Sequence, residues 1–281
     1  MKIQRKPEWL RKKVPQGEQA AMRGLLSELK LNTVCQQALC PNISECFGCG
    51  QATFLILGRD CTRQCSFCNV DKAPRPQAPD ADEPRRLAEA VLRLKLSHVV
   101  ITSPTRDDLA DGGAAHYAAT VAAVREASPG TAVELLVPDF GGDHVALATV
   151  LKAQPAILAH NLETVPRLYE VRKGADYQRS LELLQQAALR APAIPTKSGI
   201  MLGLGEELDE VRAVLQDLRR VGCSYLSLGQ YLAPSKRHQP VVAYLEPQLF
   251  DQLRDEALTL GFRHVESGPY VRSSYRAANY A

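Results

Sequence analysis

Short apolar runs alternate with segments of helical periodicity along most of the chain. Such runs are typical of buried strands, and their apolar residues on both faces fit a parallel sheet that helices cover. Six alternations of strand and helix predict parallel strands joined by right-handed crossovers. The candidate strands are Thr53–Leu57, His98–Thr102, Val133–Val137, Ala156–His160, Gly199–Leu202 and Tyr225–Leu228.

Two of the intervening helices carry clear boundary signals. Asp82 is placed to cap a helix that has Pro84 in its first turn. Val211, Val214, Leu215 and Leu218 recur at helical spacing, and Gly222 follows as a helix terminator.

The number of units predicts an incomplete barrel. A closed eight-unit barrel usually takes about 250 residues, and fewer remain beyond the cysteine-rich region of this 281-residue chain. We therefore predict an α/β fold with a partial (β/α)6 TIM-like barrel at residues 51–250, an N-terminal extension at 1–50 and a C-terminal segment at 251–281. Ligands are expected at the carboxyl ends of the strands.

Composition narrows the class of protein. The net charge of +3 is too small to indicate nucleic-acid binding. No apolar run approaches 18 residues, so no membrane span is predicted, and the basic N-terminus lacks the apolar core of a secretory signal. We therefore predict a cytoplasmic protein, in which clustered cysteines indicate metal binding rather than disulfides.

Seven of the eight cysteines lie between Cys35 and Cys68. Cys61, Cys65 and Cys68 have the spacing C-x3-C-x2-C, and three thiolates can hold three irons of a cubane cluster while the fourth iron stays open to a ligand. Zinc is the alternative, although zinc sites usually use paired C-x2-C units or nearby histidines, and no histidine precedes His98.

A second triplet, Cys35, Cys40 and Cys46, has the spacing C-x4-C-x5-C and is again one ligand short of a cluster. Cys49 fits neither triplet, although its C-x2-C spacing from Cys46 makes it a possible fourth ligand. Cys223 begins an apolar run and is predicted to be a core residue.

The pattern C-x3-C-x-aromatic-C, with Phe67 in the aromatic position, resembles the signature of the radical S-adenosylmethionine (SAM) superfamily. The resemblance implies that Cys61, Cys65 and Cys68 hold a [4Fe-4S] cluster whose open iron binds SAM. One electron from that cluster cleaves SAM in this superfamily and produces a 5′-deoxyadenosyl radical, while the protein orients the cofactor.

The order of the two triplets resembles the lipoyl synthase family, as do Lys197–Glu206 and the closing Arg272-Ser273-Ser274-Tyr275. This resemblance implies insertion of two sulfur atoms at C6 and C8 of a protein-bound octanoyl group. It also implies a second [4Fe-4S] cluster on Cys35, Cys40 and Cys46, which donates sulfur and takes Ser273 as its fourth ligand. Ser274 and Cys49 remain alternatives to Ser273.

The same resemblance implies further contacts. Cofactor-binding residues are expected at Phe67, Thr102, Ser103, Asn161, Glu163 and Lys197. The implied partners are octanoylated lipoyl carrier domains, namely the E2 subunits of 2-oxoacid dehydrogenases and the glycine cleavage H protein, with ferredoxin or flavodoxin as electron donor. A basic run at Lys2, Arg5, Lys6, Arg11, Lys12 and Lys13 is either a solvated charge run or a docking surface for an acidic carrier.

Two other functions would also use clustered cysteines. Biotin synthase also inserts sulfur with radical chemistry, but the position of the second triplet disfavours it. A ferredoxin-like electron carrier would normally supply four cysteines to each cluster, whereas both triplets here supply three.

Overall fold

A computed structural model describes residues 6–11 and 19–280. Four members of the basic N-terminal run, Lys2, Arg5, Lys12 and Lys13, lie outside the described residues. Within the described part, no helix is long and apolar enough to cross a membrane.

The fold is built on an eight-stranded sheet with the order β1-β2-β5-β6-β7-β8-β9-β10, beside a small two-stranded sheet of β3 and β4. Seven strands of the large sheet run parallel, and β1 pairs with β2 antiparallel. The strands are β1 Asn32–Thr33, β2 Thr53–Leu55, β3 Asp60–Cys61, β4 Asp71–Lys72, β5 His98–Thr102, β6 Ala132–Leu136, β7 Ile157–Ala159, β8 Thr196–Leu202, β9 Tyr225–Gln230 and β10 His264–Gly268.

All six predicted strands are present, and the partial α/β barrel of the prediction is confirmed as an open sheet. The sequence did not indicate β10, because its five residues include a single buried apolar side chain, Val265. The edge strand β1 was also missed, since it has only two residues.

Nine α-helices connect and cover the strands in the described residues. Four short 3-10 helices lie at Glu8–Leu10, Phe140–Gly142, Pro166–Val171 and Ala277–Tyr280. The α-helices are α1 Gln19–Glu28, α2 Val34–Gln37, α3 Ile43–Gly48, α4 Glu83–Arg93, α5 Ala114–Ala127, α6 His144–Lys152, α7 Tyr177–Arg190, α8 Leu208–Arg220 and α9 Pro247–Thr259.

The two helix-boundary predictions had different outcomes. Helix α8 buries Val211, Val214, Leu215 and Leu218 and is followed by Gly222 with a φ of +83°, as the pattern predicted. Asp82 does precede α4, but its carboxylate caps no backbone N–H and instead accepts hydrogen bonds from Arg85 at 3.0 and 2.8 Å.

A segment near the N-terminus and a segment near the C-terminus contact each other. Asn42 Nδ2 donates to Tyr270 O at 2.7 Å, and Tyr275 Oη donates to Glu45 Oε1 at 3.0 Å. The segment that carries α2 and α3 and the segment after β10 therefore enclose a common space, although more than two hundred residues separate them in sequence.

Candidate metal and cofactor site

The loop after β2 carries the triplet Cys61, Cys65 and Cys68. Cys61 lies on β3, and the Cys68 N–H donates to the Cys65 carbonyl at 3.3 Å. Burial raises the pKa of Cys65 to about 11, while the nearby charge of Arg172 lowers it. Cys61 and Cys68 are themselves among the charged neighbours of Cys65, so the three thiols face a common region.

A buried ionic network fixes this loop to the sheet. Arg63, whose side chain is 8% exposed, donates hydrogen bonds to both carboxylate oxygens of Asp139 at 2.9 and 2.6 Å and to both of Asp107 at 2.9 and 2.8 Å. Arg179 Nε adds a 2.9 Å bond to Asp139. The loop between the cysteines is thus held by bidentate ion pairs, the geometry in which arginine binds carboxylates most strongly.

Replacing Asp139 by asparagine is expected to destabilise the fold by about 3 kcal/mol, since breaking a buried ion pair leaves a charge uncompensated. Burial raises the pKa of Asp139, but the hydrogen bonds and charge of Arg63 outweigh burial and hold the pKa well below its ordinary value. The ion pair therefore contributes its full stability above about pH 4, which is the pKa of an aspartate in the unfolded chain. This contribution is lost as the pH falls further, toward the pKa of Asp139 in the folded protein.

Urea unfolding of the wild type and Asp139→Asn at pH 7 and at low pH measures this contribution. We expect the difference in unfolding free energy to shrink as the pH falls below 4. A difference that stays constant with pH would contradict the role of the ion pair.

Polar side chains at the carboxyl end of β7 face the same region. Asn161 Nδ2 donates to Glu163 Oε1 at 3.0 Å, and Glu163 is among the charged neighbours of Cys68. His160 is buried, which lowers its pKa to about 4, with the charge of Arg172 as the next cause, so its ring is neutral. Two of the predicted cofactor-binding residues, Asn161 and Glu163, therefore lie in the same region as the Cys61 triplet.

Several buried polar atoms in this region are not hydrogen-bonded within the described part of the protein. Asn161 Oδ1, His160 Nε2 and Arg172 Nε have no hydrogen-bond partner among the described residues. A Cβ added to Gly199 would lie 2.9 Å from Asn161 Oδ1, so the glycine keeps space open in front of that acceptor. Buried polar groups normally have partners, which makes these atoms candidates for contacts to a polar cofactor.

The other predicted cofactor residues have mixed positions. Phe67 is half-buried within the cysteine loop, and Thr102 and Ser103 follow at the carboxyl end of β5. Thr102 Oγ1 donates to Leu136 O at 2.9 Å, and Ser103 Oγ accepts from Tyr117 Oη at 2.9 Å. Both hydroxyls are thus already engaged within the protein.

Lys197 lies near the start of β8, where its carbonyl accepts a 3.0 Å hydrogen bond from the His160 N–H. It is buried, its Nζ donates to Glu134 Oε1 at 2.9 Å, and it stands 3.6 Å from the centre of the Tyr280 ring. The structure therefore gives the Lys197 ammonium group an ion pair inside the protein, and the expected cofactor contact stays a prediction.

The second triplet lines a cavity of about 210 Å³. Cys35, Cys40 and Cys46 come from α2, α3 and the turn between them, and Arg272 and Ser274 come from the C-terminal segment. Cys49 lines the same cavity. Arg272 places a cation beside the thiol of Cys40, so thiolates formed there have a compensating charge.

The two serines of the C-terminal segment face different surroundings. Ser274 lines the cavity and accepts a 2.6 Å hydrogen bond from Thr53 Oγ1. Ser273, which the resemblance indicated as the ligand, is not among the residues that line it. Ser273 Oγ instead accepts a 2.5 Å hydrogen bond from Asn161 Nδ2. The placement favours Ser274 over Ser273 as an oxygen ligand in this cavity.

Among the described residues, no three His, Cys, Asp or Glu side chains converge as the ligands of one metal ion would. All eight cysteines are free thiols, so none of the six is lost to a disulfide.

Three residues of this site carried no signal in the sequence. Arg63, Asp139 and Arg172 are ordinary surface residue types, and their pairing depends on loops that come together only in the fold. Asp139 follows β6 and Arg172 ends the 3-10 helix Pro166–Val171. All three lie in the connections that follow predicted strands, at the carboxyl ends where ligands are expected, and this was the available clue.

Comparison with known proteins places the chain in a family. The Radical SAM superfamily model matches residues 55–218. A lipoyl synthase of Trichlorobacter lovleyi is 95% identical over the full length of both chains. One of Citrifermentans bemidjiense is 65% identical over 98% of this chain and 94% of its own, and one of Thiobacillus denitrificans is 54% identical over 99% and 90%.

Solved structures support the fold. Methylornithine synthase matches with a TM-score of 0.56 at 16% identity, over 89% of this chain and 83% of its own. Streptococcus suis SuiB bound to S-adenosylmethionine also has a TM-score of 0.56, at 9% identity over 80% and 53%. Together with the full-length relatives, the matching superfamily model and the two cysteine triplets, these comparisons show that the chain belongs to the lipoyl synthase family of radical SAM enzymes.

Proposed function

We propose that this chain inserts two sulfur atoms at C6 and C8 of an octanoyl group held on a carrier protein, which forms the lipoyl group. The observation that carries the proposal is the separation of two cysteine sites. One triplet lies at the carboxyl ends of the strands beside unpartnered polar atoms, and the other lines a cavity with a serine. Anaerobic turnover with an octanoylated carrier peptide tests the reaction.

Cys61, Cys65 and Cys68 hold the cluster at which SAM binds. When bound there, the cluster and SAM supply a carbon radical able to remove hydrogen from an unactivated C–H bond. Asn161 Oδ1 can accept a hydrogen bond from the amino group of SAM, and Arg172 Nε can donate one to its carboxylate, since neither atom has a partner among the described residues. The Arg63 network keeps the cysteine loop rigid while this happens.

Cys35, Cys40 and Cys46 hold the sulfur-donor cluster, with Ser274 as the fourth ligand. An oxygen ligand suits a donor cluster, because iron in such clusters prefers soft thiolate and releases hard oxygen more readily. Ser273 instead positions Asn161 through its hydrogen bond, and so connects the C-terminal segment to the SAM side of the site.

The substrates proposed are octanoylated carrier domains of 2-oxoacid dehydrogenase E2 subunits and of the glycine cleavage H protein, with ferredoxin or flavodoxin as electron donor. We place the reaction in the cytoplasm, where thiols stay reduced, which the eight free cysteines support.

Two clusters predict a definite metal content. After anaerobic reconstitution, the chain should bind about eight irons and eight sulfides, because each [4Fe-4S] cluster brings four of each. A variant with Cys35, Cys40 and Cys46 all replaced by alanine should bind about half of that, since the SAM-side triplet is intact. Iron and sulfide assays measure both. One zinc per chain with negligible iron would contradict the assignment of either triplet.

A further inference from the structure

Cys49 belongs to neither triplet, yet it lines the same cavity as Cys35, Cys40 and Cys46. It directly follows α3, and its N–H donates to the Cys46 carbonyl at 3.1 Å, which fixes it close beyond Cys46. Cys49 is exposed, whereas Cys35 is buried. The cavity therefore has a fourth thiol at its solvent side, at the C-x2-C spacing common among metal ligands.

The competing ligand, Ser274, comes from a different part of the chain. Its hydroxyl is already in a hydrogen bond with Thr53. The segment that carries it docks on α3 and its preceding turn through polar contacts, among them Asn42 to Tyr270 O and Tyr275 to Glu45. A thiol on the N-terminal wall and a hydroxyl on the C-terminal wall thus border one cavity.

The inner end of the cavity also indicates a ligand. His98 lines it with a side chain that is 5% exposed. Its Nε2 lies 3.4 Å from Glu134 Oε2, but neither ring nitrogen has a hydrogen-bond partner in the part of the chain that the structure describes. A buried ring nitrogen without a partner fits a cavity that holds a polar or ionic group.

We propose that Cys49 is an alternative fourth ligand of the cluster held by Cys35, Cys40 and Cys46. Ser274 binds the fourth iron while the C-terminal segment is docked, and the Cys49 thiolate binds it when Ser274 is displaced or absent. In the exchange an Fe–S bond forms, the Fe–O bond breaks, and the serine oxygen takes up the proton that the thiol releases. No iron changes its oxidation state.

The two ligands suit two different needs of a sulfur-donor cluster. Thiolate binds iron more strongly than a hard oxygen does, so the Cys49-bound form retains its cluster. The Ser274-bound form gives up sulfur more readily. This inference rests on the proposed second cluster.

The test compares Ser274→Ala, Cys49→Ala and the double variant, with Ser273→Ala as the matched control on the neighbouring serine. All are first compared by thermal unfolding without iron. After reconstitution, Ser274→Ala should keep the iron content of the wild type, because Cys49 completes the site. The double variant should retain less iron than Ser274→Ala, because only three thiolates remain and the fourth iron of the second cluster has no protein ligand.

Alkylation with iodoacetamide, followed by peptide mass spectrometry, identifies the ligand directly. In reconstituted Ser274→Ala, both Cys46 and Cys49 should be at least about ten-fold slower to alkylate than without iron, because a thiolate bound to iron is no longer a free nucleophile. Of these two cysteines, only Cys46 should be protected in the reconstituted wild type.

The outcomes separate this inference from the proposed function. If Cys46 in the wild type alkylates equally fast with and without iron, the second cluster is absent and both fail. If Cys46 is protected in Ser274→Ala while Cys49 stays as reactive as without iron, only the Cys49 ligand is overturned. Loss of half the iron in Ser274→Ala alone overturns it as well.

Discussion

Replacing Cys65 by alanine is expected to abolish reductive cleavage of SAM. The loss should reach at least about 10³-fold, because removing one member of a set that acts as a unit removes nearly the whole effect. Cys65 lies between Cys61 and Cys68 in a loop that the Arg63 network holds in place, and the variant leaves only two of the three thiols of this triplet. Production of 5′-deoxyadenosine under reducing conditions, followed by chromatography, measures the loss.

Two further variants show whether the effect is specific. Cys40→Ala should retain SAM cleavage and lose sulfur insertion, since it removes a ligand from the other cavity. Cys223→Ala should retain both activities, because Cys223 is a fully buried core thiol that is not among the residues lining the cavity of the second triplet. If Cys65→Ala and Cys40→Ala both lost only sulfur insertion, the assignment of the SAM-side triplet would be wrong.

Replacing Ser274 by alanine is expected to lower lipoyl formation by at least about 100-fold, because loss of a direct ligand should cost at least as much as loss of an outer-shell partner of a metal site, which costs up to about 100-fold. SAM cleavage should stay near the wild-type rate, because Ser274 lines the other cavity. The readout is the yield of lipoylated carrier relative to 5′-deoxyadenosine, which separates sulfur donation from radical formation.

Ser273→Ala is the natural comparison, since it changes the adjacent serine in the same way. It should retain lipoyl formation better than Ser274→Ala, with its main defect in the affinity for SAM, because Ser273 positions Asn161. The reverse result, with full loss in Ser273→Ala and little in Ser274→Ala, would restore Ser273 as the ligand that the family resemblance indicated.

The regular part of the fold was predictable because its signals are local. Six strands carry continuous apolar runs, and α8 carries an apolar stripe followed by a glycine. Strand β10 lacks such a run, since it is recruited by pairing with β9 over its whole length rather than by burial of its side chains. Pairing of that kind is decided by the tertiary fold and leaves little trace in the sequence.

The choice between the two serines shows where local reasoning ends. Ser273 and Ser274 lie in a turn closed by a 2.9 Å hydrogen bond from the Tyr275 N–H to the Arg272 carbonyl, so a position in the sequence does not say which of the two neighbours faces a site. Here Ser273 meets Asn161 and Ser274 meets Thr53 and the cavity. Only the docking of the C-terminal segment on the N-terminal one decides between them.

Lys197 illustrates the same limit in another form. The predicted strand begins at Gly199, whereas β8 begins at Thr196 and includes Lys197. The Lys197 side chain pairs with Glu134 of β6, which is 63 residues away in the sequence. A strand pattern does not say which side chain of another strand a residue meets, so this ion pair could not be predicted from the sequence.

The proposed reaction has one direct measurement. Reconstituted protein is incubated without oxygen with SAM, a low-potential reductant and an octanoylated carrier peptide, and the peptide is analysed by mass spectrometry. The account predicts a mass increase equal to two added sulfur atoms, with two SAM molecules cleaved per product, one for each C–H bond broken. An unchanged peptide mass in a sample that carries both clusters and cleaves SAM would contradict the account.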